Sequence, residues 1–267
     1  MSKFLLVANW KMNPASIKEA KDLFTSVKKG LKKLRPKRVE VVICPPFVYL
    51  SNFKFQISNF KLGSQDCFWQ EKGAFTGEIA PSQLLDLGCQ YVILGHSERR
   101  RYLGETDEIV NKKIKAVIGA GLFPILCIGE NLEQRRRGET KRVLEHQLTF
   151  GLRGISQFMI RNSQLGIAYE PIWAISTSKN RKDCPAQEIH IMSLLIRKIL
   201  IKKYKNQGAD KIRILFGGNV NSENARIYCK EAKVQGFLVG SASLNPQEFL
   251  KIIKIIEGLK PDVNPFL

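Results

Sequence analysis

Residues 4–44, which read FLLVANWKMNPASIKEAKDLFTSVKKGLKKLRPKRVEVVIC, decide the fold. The apolar runs at residues 4–8 and 39–44 are typical of buried strands. The apolar residues between the two runs recur at intervals of three, four or seven, and they are Ile17, Phe24, Val27, Leu31 and Leu34. This spacing places them on one side of a helix that packs against a sheet. The segment therefore predicts a strand, a helix and a second strand.

The same alternation of strand and helix continues along the chain. Eight runs are typical of strands, at residues 4–8, 39–44, 60–63, 91–94, 123–128, 165–169, 212–216 and 236–239. Alternation of this kind indicates an α/β protein with parallel strands joined by right-handed crossovers. Eight such units can close into a (β/α)₈ barrel, and a doubly wound open sheet is the alternative. Because no linker interrupts the pattern, we expect a single domain over residues 1–267.

The composition is that of a soluble globular protein with one substantial core. The chain has 267 residues, of which 44% are hydrophobic and 25% are charged. These values exclude a disordered chain, a collagen and a coiled coil. No apolar run approaches the ~20 residues of a membrane span, and the run at residues 4–8 is too short for a signal peptide. We therefore expect a cytoplasmic protein with no membrane partner.

The net charge is unusually positive, at +19 from 43 Lys and Arg against 24 Asp and Glu. A field of this sign attracts phosphorylated substrates and also binds nucleic acid weakly. The lysines are spread along the chain, which favours solvated helix faces over a dedicated binding surface. Neither a recognition motif nor a basic patch interleaved with aromatic residues is visible, so we expect no specific nucleic-acid partner.

The six cysteines are scattered singly through the chain, at positions 44, 67, 89, 127, 184 and 229. None belongs to a C-x-x-C pair, and no histidine lies at metal-ligand spacing from them. Buried reduced thiols are therefore favoured over disulfides, and we expect no metal site.

Polar side chains follow three of the predicted strands. Asn9 and Lys11 follow the first strand and His96 follows the fourth, while Glu170 ends the sixth, immediately before Pro171. In a (β/α)₈ barrel the loops at the carboxyl ends of the strands build the active site. A half-buried carboxylate at such a position can act as a base, and a structural ion pair is the alternative for Glu170. We therefore look for the chemistry at this end of the barrel.

His96 lies between a strand and the start of a predicted helix. There we expect Ser97 to cap the helix and Glu98 to pair with a cation. The positive end of the helix dipole keeps a histidine neutral, which suits it to donate a hydrogen bond. The other two histidines, His146 and His190, lie in predicted helices and are interpreted as structural.

Small residues follow the last two strands. They are Gly217, Gly218 and Asn219 after the seventh strand and Gly240 and Ser241 after the eighth. The backbone N–H groups of such turns can approach an anion, and the helix that follows adds its dipole. Paired turns at these two positions favour a phosphate site, with simple tight turns as the alternative.

Together these motifs resemble the triosephosphate isomerase family over almost the whole chain. The segments that carry the resemblance are ANWKMN (8–13), QEKGAFTGE (70–78), LGHSERR (94–100), CIGE (127–130) and AYEPIWA (168–174). The resemblance implies a TIM barrel that interconverts dihydroxyacetone phosphate and glyceraldehyde 3-phosphate without a metal or an organic cofactor.

The resemblance also implies a role for each polar residue at the site. Glu170 would move the proton between neighbouring carbons of the substrate, and neutral His96 would donate a hydrogen bond to the enediolate oxygens. Lys11 and Asn9 would stabilise the negative charge that develops there. Glu98 is expected to position Lys11.

The resemblance further implies a mobile loop, a phosphate site and a homodimer. The loop residues are Pro171, Ile172, Trp173, Ala174, Ile175, Ser176, Thr177, Ser178 and Lys179. The expected phosphate-binding residues are Ser176, Asn219, Gly240 and Ser241. In the family, the segment that matches Phe75, Thr76 and Gly77 reaches into a partner subunit. From the residues alone, Phe75 between glycines is an apolar knob that lies either at an interface or against its own barrel.

The chain departs from the family pattern at the loop and at the phosphate side. Ser176 and Ser178 replace glycines, Phe216 and Asn219 replace a Tyr and a Ser, and Ser241 replaces the second glycine of a pair. Phe216 lacks the hydroxyl group with which the family's Tyr holds the closed loop. We therefore expect weaker phosphate binding or slower turnover, and the alternative function is a catalytically weak barrel that binds phosphate or acts as a scaffold.

Overall fold

Eight parallel strands close into a barrel. The structure, a computed structural model, describes residues 3–54, 60–162, 165–175 and 183–259. The strands are β1 (Phe4–Asn9), β2 (Val39–Cys44), β3 (Lys61–Ser64), β4 (Cys89–Leu94), β5 (Phe123–Ile128), β6 (Gly166–Tyr169), β7 (Arg213–Phe216) and β8 (Gly236–Val239). Each strand pairs with the next in chain order, and β8 pairs with β1.

The predicted (β/α)₈ barrel is confirmed, and the open-sheet alternative is wrong. β1 pairs with β2 through Leu5 opposite Glu40, and on its other side it pairs with β8 through Leu5 opposite Gly236. All eight predicted strands occur. β4 begins two residues earlier than predicted because Cys89 already pairs with Leu62 of β3. The expectation of a single domain over residues 1–267 stays a prediction.

Helices surround the barrel. In the described part of the chain they are α1 (Ile17–Leu34), α2 (Phe47–Phe53), α3 (Pro81–Asp86), α4 (Ser97–Leu103), α5 (Asp107–Gly119), α6 (Leu132–Arg136), α7 (Thr140–Gly151), α8 (Gln157–Asn162), α9 (Ala186–Ala209), α10 (Ala225–Glu231) and α11 (Pro246–Glu257). Short 3₁₀ helices, Ile172–Ala174 and Ser241–Leu244, follow β6 and β8.

The core has two layers, one inside the barrel and one between the strands and the helices. Helix α1 shows how the outer layer is built. Phe24, Val27 and Leu31 are buried as predicted. The predicted contact of Ile17 is wrong, because this first residue of α1 is 40% exposed and the buried face of the helix begins at Ala20.

A polar cluster fills the amino-terminal end of the barrel. Arg213 donates to Glu40 Oε2 at 2.8 Å and to the Tyr91 hydroxyl at 2.7 Å. The Tyr91 hydroxyl donates to Glu40 Oε1 at 2.8 Å, and Lys61 Nζ lies 2.6 Å from the same oxygen. These side chains satisfy one another, so buried charges at this end are paired.

Two further findings concern membrane spans and cysteines. Among the described helices, none is long and apolar enough to cross a membrane. The six cysteines are free thiols, and all but Cys229 are buried.

Candidate active site

Four of the predicted site residues lie at the carboxyl ends of the strands. Asn9 is the last residue of β1, Lys11 follows it by two residues, His96 follows β4 by two residues, and Glu170 comes directly after β6. Asn9, His96 and Glu170 are buried, and the Lys11 side chain is 17% exposed. Because the strands are parallel, all four groups share one end of the barrel.

Glu170 and His96 are in direct contact. Glu170 Oε1 lies 3.2 Å from His96 Nε2. Glu170 Oε2 accepts a hydrogen bond from the backbone N–H of Ser97 at 3.2 Å. The carboxylate is 2% exposed, so it is removed from water and keeps two donors beside it.

Two glycines let the backbone and side chain of Glu170 reach this position. A Cβ atom at Gly129 would lie 1.9 Å from the carbonyl oxygen of Glu170, and a Cβ atom at Gly217 would lie 2.8 Å from its Cγ atom. Only glycine avoids these contacts without a shift of the backbone. The sequence analysis did not assign these glycines a role toward Glu170.

His96 caps helix α4, and this contact fixes its tautomer. Its Nδ1 atom accepts a hydrogen bond from the backbone N–H of Glu98 at 3.2 Å. A nitrogen that accepts carries no proton, so Nε2 of the neutral ring carries it and faces Glu170. The prediction that Ser97 caps the helix is wrong. Ser97 is the first residue of α4, and its Oγ atom has no hydrogen-bond partner among the described residues.

Lys11 is positioned by a carboxylate and by its own backbone. Its Nζ atom donates to Glu98 Oε1 at 2.5 Å, the pair that the sequence analysis expected. Its backbone N–H donates to Asn9 Oδ1 at 3.0 Å. The Lys11 backbone has φ of 53°, a left-handed conformation that is costly for a residue other than glycine.

Gln65 holds the Lys11 backbone in that conformation, and the sequence analysis missed it. Its Nε2 atom donates to the carbonyl oxygen of Lys11 at 2.8 Å and to that of Cys44 at 2.9 Å. The bond joins residues 54 positions apart in the chain. One available signal was its place directly after β3, at the same end of the barrel as the other site residues.

A buried ion cluster lies behind the β4–α4 loop. Lys113 Nζ donates to both carboxylate oxygens of Asp66 at 2.8 Å and also to Glu105. The Arg99 guanidinium lies 2.8 Å from Asp66 Oδ2. Glu105 Oε2 accepts a hydrogen bond from the backbone N–H of Gly95 at 3.1 Å. Burial raises the pKa of Asp66 to about 6, with Glu105 raising it and Lys113 lowering it. The cluster thus ties the turn before His96 to the body of the barrel.

Comparison with known proteins identifies the family. The sequence model of triosephosphate isomerase matches residues 4–256. The chain belongs to the triosephosphate isomerase family. It is 42% identical over 262 residues to the triosephosphate isomerase of Dictyoglomus thermophilum, covering 95% of this chain and 100% of that protein. It is also 44% identical to that of Carboxydothermus hydrogenoformans (95% and 99%) and 45% identical to that of Geobacter metallireducens (93% and 97%).

The structure describes the residues of this chain that match the start of the family's mobile loop. Pro171 leads into the 3₁₀ helix Ile172–Ala174, and Ile175 follows it. Ser176, Thr177, Ser178 and Lys179 lie outside the described residues. Trp173 Nε1 donates to Glu130 Oε1 at 2.8 Å, and the Tyr169 hydroxyl donates to the same carboxylate. Burial raises the pKa of Glu130, which these two donors partly oppose.

The phosphate-side residues that depart from the family adopt unstrained backbone. Neither Asn219 nor Ser241 has a positive φ, so the replacements impose no left-handed strain there. The Asn219 N–H donates to the Ala174 carbonyl at 3.1 Å, and its side chain donates to Asp183. Gly240 has φ of −88°, and Ser241 begins the second 3₁₀ helix.

Phe216 is fully buried at the end of β7. Its ring lies edge-on to Tyr228 at 5.1 Å, and a Cβ atom at Gly218 would lie 2.3 Å from its Cζ atom. The tip of the Phe216 ring therefore packs against Gly218 and carries no group that can form a hydrogen bond.

The segment that matches the family's interface loop is exposed. Phe75 is 42% exposed, although its ring also contacts Phe68 of the same chain at 4.7 Å. Thr76 and Gly77 are exposed, and Gly77 has φ of 92°. The ring therefore rests in part on its own chain, and its placement at an interface stays a prediction.

Proposed function

We propose that this chain interconverts dihydroxyacetone phosphate and D-glyceraldehyde 3-phosphate in the cytoplasm as a single-domain homodimer. The observation that carries the proposal is the 3.2 Å contact between the Glu170 carboxylate and His96 Nε2, with Lys11 and Asn9 at the same end of the barrel. A carboxylate and a neutral imidazole in contact form a base and a hydrogen-bond donor for one enolisable substrate.

Glu170 supplies the base. From glyceraldehyde 3-phosphate it takes the proton on carbon 2, and the carbon–hydrogen electron pair forms the double bond of an enediolate. A proton also moves from the oxygen on carbon 2 to the oxygen on carbon 1, and Glu170 returns its proton to carbon 1, which gives dihydroxyacetone phosphate with its carbonyl at carbon 2. The reaction moves protons within one substrate and is redox neutral, so it requires no electron-accepting cofactor. Burial at 2% exposure surrounds the carboxylate with protein groups in place of bulk water.

His96, Lys11 and Asn9 stabilise the negative charge of the enediolate. His96 donates from Nε2, which the acceptor role of its Nδ1 atom leaves protonated. Lys11 brings a positive charge that Glu98 holds in place at 2.5 Å. The Asn9 amide group donates, since its oxygen already accepts the Lys11 N–H. Preorganised groups of this kind are each worth about 3 kcal/mol in the transition state.

The substrate's phosphate group is proposed to bind at the ends of β7 and β8. Gly240 and Ser241 offer backbone N–H groups there, and Ser176 would add another when the loop of residues 171–179 closes. The Asn219 N–H donates to the Ala174 carbonyl, so it would bind the phosphate only once that bond is released. Ser176 and Ser178 in place of glycine, and Phe216 in place of tyrosine, favour a looser closed state.

Exposed apolar side chains support the homodimer. Met12, Val48, Phe75, Leu85 and Tyr102 are 42–93% exposed, and they belong to the segments that follow β1 to β4. Neighbouring exposed apolar groups of this kind mark interfaces, and a two-fold dimer would cover them on both copies. Sedimentation of the wild type should give the mass of two chains, and Phe75→Glu should give one. A monomeric wild type would rule out the dimer.

The alternative is a catalytically weak barrel that binds phosphate or acts as a scaffold, which the altered loop and phosphate side favour. Steady-state isomerisation of glyceraldehyde 3-phosphate separates the two functions, with Glu170→Gln as the comparison and inorganic phosphate as the competitor. The isomerase predicts that the variant loses orders of magnitude in kcat. A wild type as slow as the variant would support the alternative.

A further inference from the structure

One densely basic stretch of the sequence forms an exposed surface. Residues 28–38, KKGLKKLRPKR, contain seven Lys or Arg and no acidic residue. In the structure the last turns of α1 and the loop before β2 expose Lys29, Lys32, Lys33, Arg35 and Lys37. The sequence analysis expected lysines dispersed over solvated helix faces, and this stretch differs because its charges lie together.

Helix α11 adds further charges beside α1. The two helices pack so closely at Gly30 that a Cβ atom there would lie 2.1 Å from Leu250 Cδ1. Lys251 and Lys254 follow Leu250 and are exposed. The positive charges of α11 therefore border those of α1.

The rim of the barrel completes the surface. The Phe4 N–H donates to the Arg38 carbonyl at 2.8 Å, and the Leu5 N–H donates to the Gln235 carbonyl at 3.0 Å. These bonds bring the chain just before β1 and the chain just before β8 next to the end of the α1–β2 loop. We name the basal basic patch by its exposed members, which are Lys3, Lys29, Lys32, Lys33, Arg35, Lys37, Lys233, Lys251 and Lys254.

The charges of the basal basic patch are not neutralised locally. Within the described residues, no salt bridge joins a member of the patch to an acidic side chain. Glu257, which lies at the end of α11, instead accepts the backbone N–H groups of Arg38 and Val39 at 2.7 and 2.8 Å. The exposed acids of α1 and of the segments before β7 and β8 are Glu19, Asp22, Asp210 and Glu231, fewer than the members of the patch. The patch thus carries a net positive field toward solvent.

We propose that the basal basic patch binds the phosphodiester backbone of nucleic acid without sequence specificity. Helix α1 has 18 residues, or about 27 Å at 1.5 Å per residue, and its last turns join α11 and the rim in one basic surface. Such a surface exceeds the size of a single phosphate and suits a polymer with repeated negative charges.

The side chains of the basal basic patch favour this ligand over a membrane. The large apolar side chains exposed on α1 and α10, Ile17 and Ile227, are not members of the patch. Membrane-surface helices instead pair their basic face with an apolar face that enters the lipid. No aromatic residue belongs to the patch, so bases have no ring to stack on and charge alone governs binding.

The basal basic patch and the proposed active site lie at opposite ends of the strands. The patch borders the residues before β1, β2 and β8, whereas Lys11 and Glu170 follow β1 and β6. Nucleic acid binding therefore does not rest on the proposed isomerase activity and should leave it unchanged.

The test is fluorescence anisotropy of a labelled single-stranded RNA and a duplex DNA of equal length, titrated with the full chain over a range of salt. The patch variant combines Lys29→Gln, Lys32→Gln, Lys33→Gln and Lys37→Gln. The control variant has the same charge change elsewhere on the surface. It combines Lys112→Gln, Lys141→Gln, Lys198→Gln and Lys202→Gln, all at exposed positions.

We expect the wild type to bind both polymers, with an affinity that falls steeply with salt. Removing four phosphate contacts should reduce the slope of log affinity against log salt by about 3 for RNA and about 4 for duplex DNA. The patch variant should bind at least about tenfold more weakly at low salt, and the control about twofold at most. Urea titrations with the wild-type midpoint show that both variants are folded, whatever their isomerase activity.

Three results would overturn the proposal. Equal losses in the patch and control variants would show that net charge, not the basal basic patch, governs binding. Binding to phosphatidylserine vesicles without binding to either polymer would make the ligand a membrane surface. If the wild type binds neither RNA nor DNA at low salt, the proposed interaction does not occur.

Discussion

Replacing Gln65 by methionine tests how Lys11 is positioned. The change keeps the side-chain length and removes two hydrogen bonds, to the carbonyl oxygens of Lys11 and Cys44. Each bond contributes about 1 kcal/mol net. The left-handed backbone of Lys11 stores about 1–2 kcal/mol, which is released if the peptide relaxes. Once both bonds are lost, this strain favours relaxation by about 1–2 kcal/mol, or about fivefold to thirtyfold in population.

We therefore expect kcat/KM of Gln65→Met to fall about fivefold to thirtyfold, in proportion to the share of molecules in which the Lys11 backbone has relaxed. Steady-state kinetics measures this change, and urea titration measures the free energy of unfolding alongside it. Gln83→Met is the matched control, because Gln83 accepts the Ala80 N–H at the start of α3 and contacts no proposed catalytic residue. The control should lose stability without losing kcat/KM. If Gln65→Met loses stability and keeps kcat/KM within about twofold, the positioning role is wrong.

Three further predictions concern the surroundings of the site. Glu98→Gln weakens the hold on Lys11 at 2.5 Å, so kcat/KM should fall about tenfold in steady-state assays, and an unchanged value would contradict the pairing. Gly129→Ala brings a Cβ atom to 1.9 Å from the Glu170 carbonyl, so kcat should fall at least about a hundredfold, whereas wild-type turnover would show that the backbone yields. Burial raises the pKa of Asp66 from 3.8 to about 6, so the native state binds this proton more tightly than the unfolded state. The stabilisation that Asp66 contributes should therefore decrease as pH rises from about 4 to about 6. In urea titrations the wild type should lose stability relative to Asp66→Asn over this range, and a constant difference between the two would contradict the raised pKa.

The strands and the main polar residues could be predicted because their signals are local. Each strand is a short apolar run, and Asn9, His96 and Glu170 stand directly at strand ends. A barrel then brings strand ends together whatever the details of packing. The helix cap was wrong because His96 Nδ1, rather than the Ser97 hydroxyl, accepts the N–H of the first turn. Imidazole lies outside the usual set of capping side chains.

The remaining features depend on contacts between distant parts of the chain. Gln65 meets Lys11 across 54 positions, and Gly129 meets the Glu170 backbone from another strand. No local pattern encodes either approach. The basic stretch at residues 28–38 is visible in the sequence. Its meeting with Lys251 and Lys254 of α11, more than 200 residues away, is visible only in the structure.

The most direct test of the proposed chemistry follows the transferred proton. Glyceraldehyde 3-phosphate is isomerised in D₂O, and NMR measures the rate of product formation and the deuterium at carbon 1 of dihydroxyacetone phosphate. The wild type should form deuterated product rapidly, because the proton on Glu170 exchanges with solvent before it is returned. Glu170→Gln keeps the shape of the side chain and should slow the reaction by about 10²–10⁴-fold. A Glu170→Gln variant that forms deuterated product at the wild-type rate would contradict the assignment of Glu170 as the base.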